Sequence, residues 1–328
     1  MASVTPASAQ TDPPTARRRE GVHRGHGAAA GRFKTAALWW RAARPYSLTA
    51  SVTPVVAGTA AAVHDGYFDP LVFLATLAGA AAIQAGTNMV NDYYDHARGV
   101  DTGTSIGPGG LIQHGLLSPG AVLAGGMGLF AAAAALGLWL VTVAGWPLLV
   151  AGALSVLAGY AYTGGPRPLG YIGLGDLVVF VFMGPVIVLG AYFVEAHRLG
   201  AAAWWTSLPL AALVTAILVV NNLRDLDGDR RAGKRTFATL IGDRATRIEY
   251  TALVLLAYAG IVAGVAARGL PPTALAALLT IPQAASLCRR MGRETDPVAF
   301  TRMLRDTARL HQRAGWLIAL ALLVTARR

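Results

Sequence analysis

Residues 70–101 read PLVFLATLAGAAAIQAGTNMVNDYYDHARGVD, a predominantly apolar run that ends in an acidic stretch. The apolar part is long enough to cross about 30 Å of hydrocarbon as a helix. The whole chain contains only 17 acidic residues, and three of them, Asp92, Asp95 and Asp101, lie at the end of this run. Because charged groups beside the hydrocarbon are costly, this placement indicates a functional role.

The composition places the chain among polytopic membrane proteins. It has 328 residues, of which 54% are hydrophobic and 14% charged, with a mean hydropathy of +0.48. The single cysteine, Cys288, excludes an intrachain disulfide framework and a cysteine metal cluster. Residues 1–33 are rich in arginine and lack an apolar core of signal-peptide length, so we predict a disordered basic cytoplasmic tail ahead of a transmembrane domain at 34–328.

Nine segments are apolar and long enough to predict transmembrane helices, so we expect an all-α integral membrane protein. The segments cover residues 46–64, 68–90, 119–140, 143–163, 173–194, 203–222, 247–267, 271–287 and 311–326. With a cytoplasmic N-terminus, 24 of the 28 Lys and Arg residues fall on the cytoplasmic side. This asymmetry supports the topology, and it explains the net charge of +11 without a nucleic-acid partner.

A second acidic stretch, NNLRDLDGDRRAGKR at residues 221–235, follows the sixth predicted span on the same predicted face as the first. Asn91 and Asp95 recur four spans later as Asn221 and Asp225, which predicts two four-helix halves plus a ninth helix. Helical spacing places the acids and amides of each stretch on one helix face. These residues are Asn88, Asp92 and Asp95 in the first stretch, and Asn222, Asp225 and Asp229 in the second.

Each of these faces offers two carboxylates and one amide, which are the hard oxygen ligands that suit Mg²⁺. Two opposed faces predict two Mg²⁺ ions bridged by one diphosphate, with the carboxylates as ligands. The predicted ligands are Asp92, Asp95, Asp225 and Asp229. The alternative is that these residues only cap helices or lie in water, since Asp and Asn favour helix ends. The recurrence of the motif at matched positions favours the metal site.

Basic side chains are needed beside a diphosphate, and Arg binds phosphate oxygens with two parallel hydrogen bonds. We predict this role for Arg98 in the first stretch and for Arg230 and Lys234 in the second. Arg167 is the sole cation of the glycine-rich loop at 162–177 and joins the predicted substrate-binding residues. The other basic residues are explained by membrane topology alone.

Carboxylates, Mg²⁺ and a diphosphate at the mouth of an apolar bundle indicate a lipid diphosphate whose tail lies among the helices. At this point the residues resemble a known family. NDYYDHARGVD and DLDGD, together with nine predicted helices, resemble the UbiA superfamily of intramembrane aromatic prenyltransferases. Five stretches of the chain resemble, in this order, the 1,4-dihydroxy-2-naphthoate polyprenyltransferases of menaquinone synthesis. They are RPYSLTASVTPVVAGTA, NDYYDHARGVDT, GPGGLIQHGLLSP, YTGGPRPLGYIGLGDL and NNLRDLDGDRRAGKRTFATLIG.

The resemblance implies a substrate pair and a location. A polyprenyl diphosphate lies along the UbiA-type bundle, held through Mg²⁺ with help from Asn91 and Asn222, and 1,4-dihydroxy-2-naphthoate attacks its allylic carbon and loses carbon dioxide to give demethylmenaquinone. The protein is then a multi-pass protein of the plasma (inner) membrane whose site faces the cytoplasm. The role of Asp101 stays open between metal ligand, base and loop cap.

Two alternatives remain. Another aromatic acceptor fits the same site, and the five stretches are the argument against it. A secondary transporter is the more remote alternative, because inverted repeats and acids at the midplane are typical of transporters. Here the predicted halves are parallel and the acids lie at one face.

Overall fold

The computed structural model describes residues 36–100 and 110–326, so the predicted tail at 1–33 and Asp101 lie outside the described part of the chain. The chain divides into two units, Met1–Ala37 and Leu38–Arg328. In the first unit only Ala36 and Ala37 are described, and both are helical. The second unit contains helices α1 to α10.

The described residues form helices and turns, with one isolated β-bridge between Ile172 and Arg235. The helices are α1 (Thr49–His64), α2 (Pro70–Ala97), α3 (Pro119–Ala144), α4 (Trp146–Ala161), α5 (Gly175–Ala196), α6 (Ala201–Arg224), α7 (Leu226–Arg231), α8 (Phe237–Ala266), α9 (Ile281–Met291) and α10 (Pro297–Val324). Short 3₁₀ helices cover Leu169–Tyr171 and Pro272–Thr280. The prediction of an all-α protein is confirmed.

Several helices begin at a proline that follows a side-chain cap. Asp69 accepts hydrogen bonds from the backbone N–H groups of Leu71 and Val72 at 2.8 and 3.2 Å, just before α2 begins. Ser118 caps α3 and Asp296 caps α10 in the same way. Proline suits the first helical turn because it has no N–H to leave unsatisfied and its φ is already helical.

Five helices are long and apolar enough to cross a membrane by length and composition, among the residues that the structure describes. They are α2, α3, α5, α6 and α8. All nine predicted segments overlap helical residues, although α1 and α4 have only 16 residues each. The chain is therefore a multi-helix protein of membrane-spanning composition, and the count of nine spans stays a prediction.

Two predicted segments differ from the helices observed. The segment at 271–287 is a 3₁₀ helix followed by α9, because Pro282 has no N–H to continue one α-helix through the segment. The segment at 311–326 is the second half of α10, which begins earlier, at Pro297. Its first half is amphipathic with exposed arginines, so a search for purely apolar runs missed it.

Helix α6 lies at the centre of the bundle, and 72% of its most apolar window is buried. It packs against α5, α8 and α10, while α2 packs along α3 and α4. Glycines allow these close approaches, as small residues do in membrane bundles. A Cβ at Gly86 of α2 would lie 3.0 Å from the backbone oxygen of Gly126 in α3, and one at Gly184 of α5 would overlap Ala211 of α6.

Gly58 gives a test of this packing. A Cβ at Gly58 of α1 would collide with the backbone oxygen of Val188 in α5, so Gly58→Ala is expected to destabilise the protein by about 1–3 kcal/mol. The thermal midpoint of the detergent-solubilised protein measures this. Gly128→Ala is the matched control, because no atom lies within 4 Å of that Cβ and alanine is the better helix former. Equal midpoints for the two variants would contradict the packing described here.

Candidate functional site

A cavity of about 1300 Å³ lies between α2, α3, α4, α5 and α6. Along α2 its wall extends from Thr76 to Asp95, which is about 28 Å of helix at 1.5 Å per residue. Most of the wall is apolar, with Val141, Leu148, Phe182, Val186, Ile217 and Leu218 among its residues. The end near Asp95 is polar. The cavity therefore combines a long apolar channel with a charged mouth.

The first acidic motif forms one side of this mouth. Asn91 donates from Nδ2 to Oδ2 of Asp95 at 2.9 Å, one helical turn away. Arg44, in the turn before α1, forms an ion pair with Asp92 and approaches Oδ1 of Asn91 at 3.4 Å. Asp92 is only 6% exposed, and the cavity wall does not include it among the described residues. Asp95 therefore faces the cavity, while Asp92 faces Arg44.

The second motif repeats this arrangement at the end of α6. Asn221 Nδ2 lies 3.4 Å from Oδ2 of Asp225, again one turn away. Arg224 donates to both carboxylate oxygens of Asp225, at 2.8 and 2.6 Å, and to Oδ1 of Asn221 at 3.0 Å. Each motif thus presents an amide, a carboxylate and an arginine at the same cavity mouth.

Asp229 on α7 adds a third carboxylate to the mouth and is only 4% exposed. Burial raises the pKa of Asp229 to about 6; the ammonium of Lys234 opposes this rise, while the charges of Asp225 and Asp95 add to it. Lys234 Nζ lies 3.7 Å from Oδ1 of Asp229. Since Asp95 belongs to the first motif, the two motifs are close enough for their carboxylates to repel each other. A bound cation would relieve this repulsion.

Tyr171, in the loop between α4 and α5, joins the two motifs. Its hydroxyl donates to Asp95, and Lys234 Nζ lies 4.9 Å from the centre of its ring. Burial and the charge of Asp95 raise the pKa of Tyr171 above its ordinary value, so the phenol stays a donor at neutral pH. The Arg98 guanidinium lies 4.9 Å from the ring centre of Tyr94 and 5.0 Å from that of Tyr171.

Most of the predicted site residues lie on the cavity wall. They are Asn88, Asn91, Asp95, Asn222, Asp225, Asp229 and Lys234. Asn88 also donates to the carbonyl of Ala43 at 3.0 Å and to Oγ of Ser47 at 2.8 Å, so its amide nitrogen holds the turn that carries Arg44.

Three predicted phosphate partners lie away from that wall. Arg98 donates to the carbonyls of Thr163 and Gly165, and thereby holds the loop that presents Tyr171. Arg230 is half-exposed and lies 3.6 Å from the exposed Asp227, while Arg167 is exposed on the loop surface. A role of these three arginines in binding a substrate stays a prediction from the sequence alone. Asp101 lies outside the described residues.

The structure adds four residues that sequence reasoning missed: Arg44, Tyr171, Asp176 and Arg224. Arg44 is 48 residues from Asp92, so no spacing pattern connects them. Arg224 lies next to Asp225, but Arg230 likewise lies next to Asp229, so the sequence does not distinguish the two arginines. Only the direction of each side chain separates them.

No group of three or more His, Cys, Asp or Glu side chains close enough to hold a metal ion occurs in the described part of the chain. The donors at the mouth nevertheless fit Mg²⁺. Asp95, Asp225 and Asp229 supply oxygen ligands, and Mg²⁺ is usually bound by one or two carboxylates together with waters and substrate phosphate oxygens. The residues present therefore suit an ion that is shared with a diphosphate.

The chain as a whole is similar to proteins of a known family. Residues 51–312 match the model of the UbiA prenyltransferase family. The chain is 32% identical to a 1,4-dihydroxy-2-naphthoate octaprenyltransferase of Bacillus subtilis, over 88% of this chain and 93% of that protein. It is 39% identical to the protein of the same name from Mycobacterium tuberculosis, over 83% of this chain and 91% of that protein.

Solved structures show the same fold. A UbiA homologue from Archaeoglobus fulgidus bound to GPP and Mg²⁺ has a TM-score of 0.61 and 14% identity, covering 86% of this chain and 99% of that one. The apo structure of a UbiA homologue from Aeropyrum pernix K1 has a TM-score of 0.64 and 17% identity, covering 84% and 97%. At these identities the likeness concerns the fold alone.

The cavity geometry distinguishes Arg224 from Arg230. Arg224→Gln removes a buried arginine at the mouth and should weaken binding of Mg²⁺ with inorganic diphosphate by roughly ten-fold, about 1.4 kcal/mol. Arg230→Gln removes an exposed arginine and should change the binding of Mg²⁺ with inorganic diphosphate by less than about two-fold. The ligand-induced rise in thermal midpoint measures both, because a bound ligand stabilises the folded state. A larger loss in Arg230→Gln would contradict the geometry.

Proposed function

Because this chain belongs to the UbiA prenyltransferase family, we propose that it transfers a polyprenyl group from polyprenyl diphosphate to 1,4-dihydroxy-2-naphthoate, with loss of carbon dioxide. The product is demethylmenaquinone in its reduced, diol form, an intermediate of menaquinone synthesis. The observation that carries the proposal is the long apolar cavity with two acidic motifs at its mouth. The names of the relatives at 32–39% identity support the naphthoate acceptor.

We place the diphosphate at the mouth of the cavity and the polyprenyl tail along its apolar wall. Mg²⁺ bound there would neutralise the charge that develops on the leaving diphosphate. The proposal has two ions, one at each motif. Asp95 and Asp225 face the cavity and would hold them, Asp229 lies beside Asp225, and Asp92 would join the ligands only on release from Arg44.

The side chains of the mouth assist departure of the diphosphate. Arg44 and Arg224 hold positive charge beside the two motifs, and Lys234 adds a third cation. Such preorganised charges stabilise a developing anion without reorganising at the moment of reaction. The apolar wall beyond them, including Phe182 and Val186, excludes water from the allylic carbon as its carbon–oxygen bond breaks.

We extend the proposal to the membrane. The chain is a multi-pass membrane protein, and we propose nine spans in the plasma (inner) membrane, with a disordered tail at 1–33, a prenyltransferase domain at 34–328 and a cytoplasmic N-terminus. The excess of Lys and Arg on one predicted side supports this orientation. The cavity mouth then opens at the cytoplasmic face, where water-soluble 1,4-dihydroxy-2-naphthoate and Mg²⁺ are available.

Turnover with defined substrates tests the function. Purified full-length protein, given 1,4-dihydroxy-2-naphthoate and a polyprenyl diphosphate, should form demethylmenaquinone with Mg²⁺ and none with EDTA, because the leaving diphosphate needs charge neutralisation. Chromatography of the extracted product measures this. Prenylation of 4-hydroxybenzoate in place of the naphthoate would overturn the proposed acceptor, and product formation in EDTA would overturn the metal.

Substitution of a mouth carboxylate tests the site. Asp225→Asn keeps the shape of the side chain but removes the charge that faces the cavity, so we expect turnover to fall by roughly 100-fold or more. Asp243→Asn is the matched control, since Asp243 is exposed and pairs with Arg247 at 2.7 Å. Full activity of Asp225→Asn in protein with an unchanged thermal midpoint would contradict the assignment.

Chemical labelling tests the orientation. Cys288 is the sole cysteine, so a Cys288→Ser background allows single new cysteines to be placed at exposed positions. A membrane-impermeant maleimide should label Arg198→Cys in intact cells, and Arg293→Cys only after permeabilisation, because we place these residues on opposite sides. The reverse pattern would invert the proposed topology.

A further inference from the structure

The cavity wall holds a buried acidic residue that the binding of a diphosphate does not use. Asp176 lies in the first turn of α5 and is only 8% exposed. The residues that follow it on α5 line the apolar part of the cavity, namely Val178, Val179, Phe182, Met183, Val186 and Ile187. Asp176 therefore stands at the boundary between the charged mouth and the apolar channel.

The other acids of the site have partners that Asp176 lacks. Asp92, Asp225 and Asp229 are paired with Arg44, Arg224 and Lys234. Asp95 accepts hydrogen bonds from Asn91 and Tyr171. Asp176 accepts a hydrogen bond from its own backbone N–H and lies 3.5 Å from Nδ2 of Asn222, but none of the ion pairs between described residues includes it.

A buried carboxylate without a cation is costly to keep, and no gain in stability explains this one. The N-terminal end of α5 favours its charged form. A cation in contact with a carboxylate lowers its affinity for a proton, and no Lys, Arg or His of the described residues is paired with Asp176. It is therefore the acid on the cavity wall best suited to accept a proton.

The position of Asp176 matches the place where a proton has to move. Its contact, Asn222, lies on the same face of the α6 terminus as Asp225, so Asp176 is next to the proposed diphosphate site. The allylic carbon of the donor lies just beyond the diphosphate, where the apolar wall begins. An aromatic acceptor has to bring its reacting carbon to this same boundary.

We propose that Asp176 is the catalytic base that takes the proton from the acceptor hydroxyl as the new carbon–carbon bond forms. This rests on the proposed function. The acceptor carbon that bears the carboxylate attacks the allylic carbon, and the allylic carbon–oxygen bond breaks, with its electron pair leaving on the diphosphate. The adjacent hydroxyl becomes a carbonyl and its proton passes to Asp176.

Asp176 also acts in the last step, the loss of carbon dioxide, by returning the proton. The bond between the ring and its carboxylate breaks, carbon dioxide leaves, and the electron pair moves to the carbonyl oxygen. That oxygen takes its proton back from Asp176, which restores the aromatic ring and the ionised base. Atoms and electrons balance without an oxidant, and the product is the prenylated naphthalenediol, the reduced form of demethylmenaquinone.

Asp176→Asn in the full-length protein tests the inference. Turnover should fall by roughly 100-fold or more, within the range that a general base contributes. The thermal midpoint should stay the same or rise, because the variant removes an uncompensated buried charge. The Mg²⁺-dependent stabilisation by inorganic diphosphate should be unchanged. Asp176→Glu, which keeps the carboxylate, should recover part of the activity.

A matched control comes from the other end of the same helix. Glu195 is also 8% exposed, and the cavity wall as described does not include it, so Glu195→Gln should keep wild-type turnover. An acceptor whose ring carries fluorine has a more acidic hydroxyl and depends less on a base. The deficit of Asp176→Asn relative to wild type should therefore shrink with that acceptor, which a purely structural role would not cause.

Three results would overturn the inference. They are turnover of Asp176→Asn within three-fold of wild type, a parallel loss of diphosphate binding, and a fall in thermal midpoint that accounts for the lost activity. Failure of the proposed function looks different, because wild-type protein would then leave the naphthoate unreacted. If wild type prenylates another phenol instead, the same comparison of variants is made with that phenol and is read in the same way.

Discussion

Repulsion among carboxylates is the constraint on which the rest of this structure depends. Asp95 from one half of the chain and Asp225 and Asp229 from the other meet at the mouth of a single cavity, where burial raises the pKa of Asp229 to about 6. Such a group is tolerated only when cations surround it. Arg44, Arg224 and Lys234 supply part of this positive charge from the protein, and in the proposed function Mg²⁺ would supply the rest.

The helical bundle is organised around this mouth. Helix α6 carries the second motif at its end and is the most buried of the candidate spans. The first motif ends α2, which glycine contacts hold close to α3. The loop between α4 and α5 is held by Arg98, and it delivers Tyr171 to Asp95 and Asp176 to the cavity wall. Packing among apolar helices thus determines where a few polar side chains meet.

The two motifs share a local design but differ in how it is completed. Both place an asparagine one turn before an aspartate, and both add an arginine. The arginine of the second motif is adjacent in sequence, whereas that of the first comes from the turn before α1. This agrees with two related halves whose connections have diverged. It also leaves the mouth asymmetric, with Lys234 and Asp229 on one side only, as suits a site that binds two different substrates.

The sequence by itself determined the all-α class, the positions of the apolar helices and the acidic residues at one face, because hydropathy and helical spacing are local properties of the chain. It also predicted several polar residues of the cavity wall, including Asp95, Asp225 and Asp229. The tertiary structure alone decided that Arg44 and Arg224 face the motifs while Arg98 and Arg230 do not, and that Asp176 lies uncompensated on the wall. These outcomes depend on side-chain direction and on contacts between residues far apart in sequence, and neither spacing nor composition encodes them.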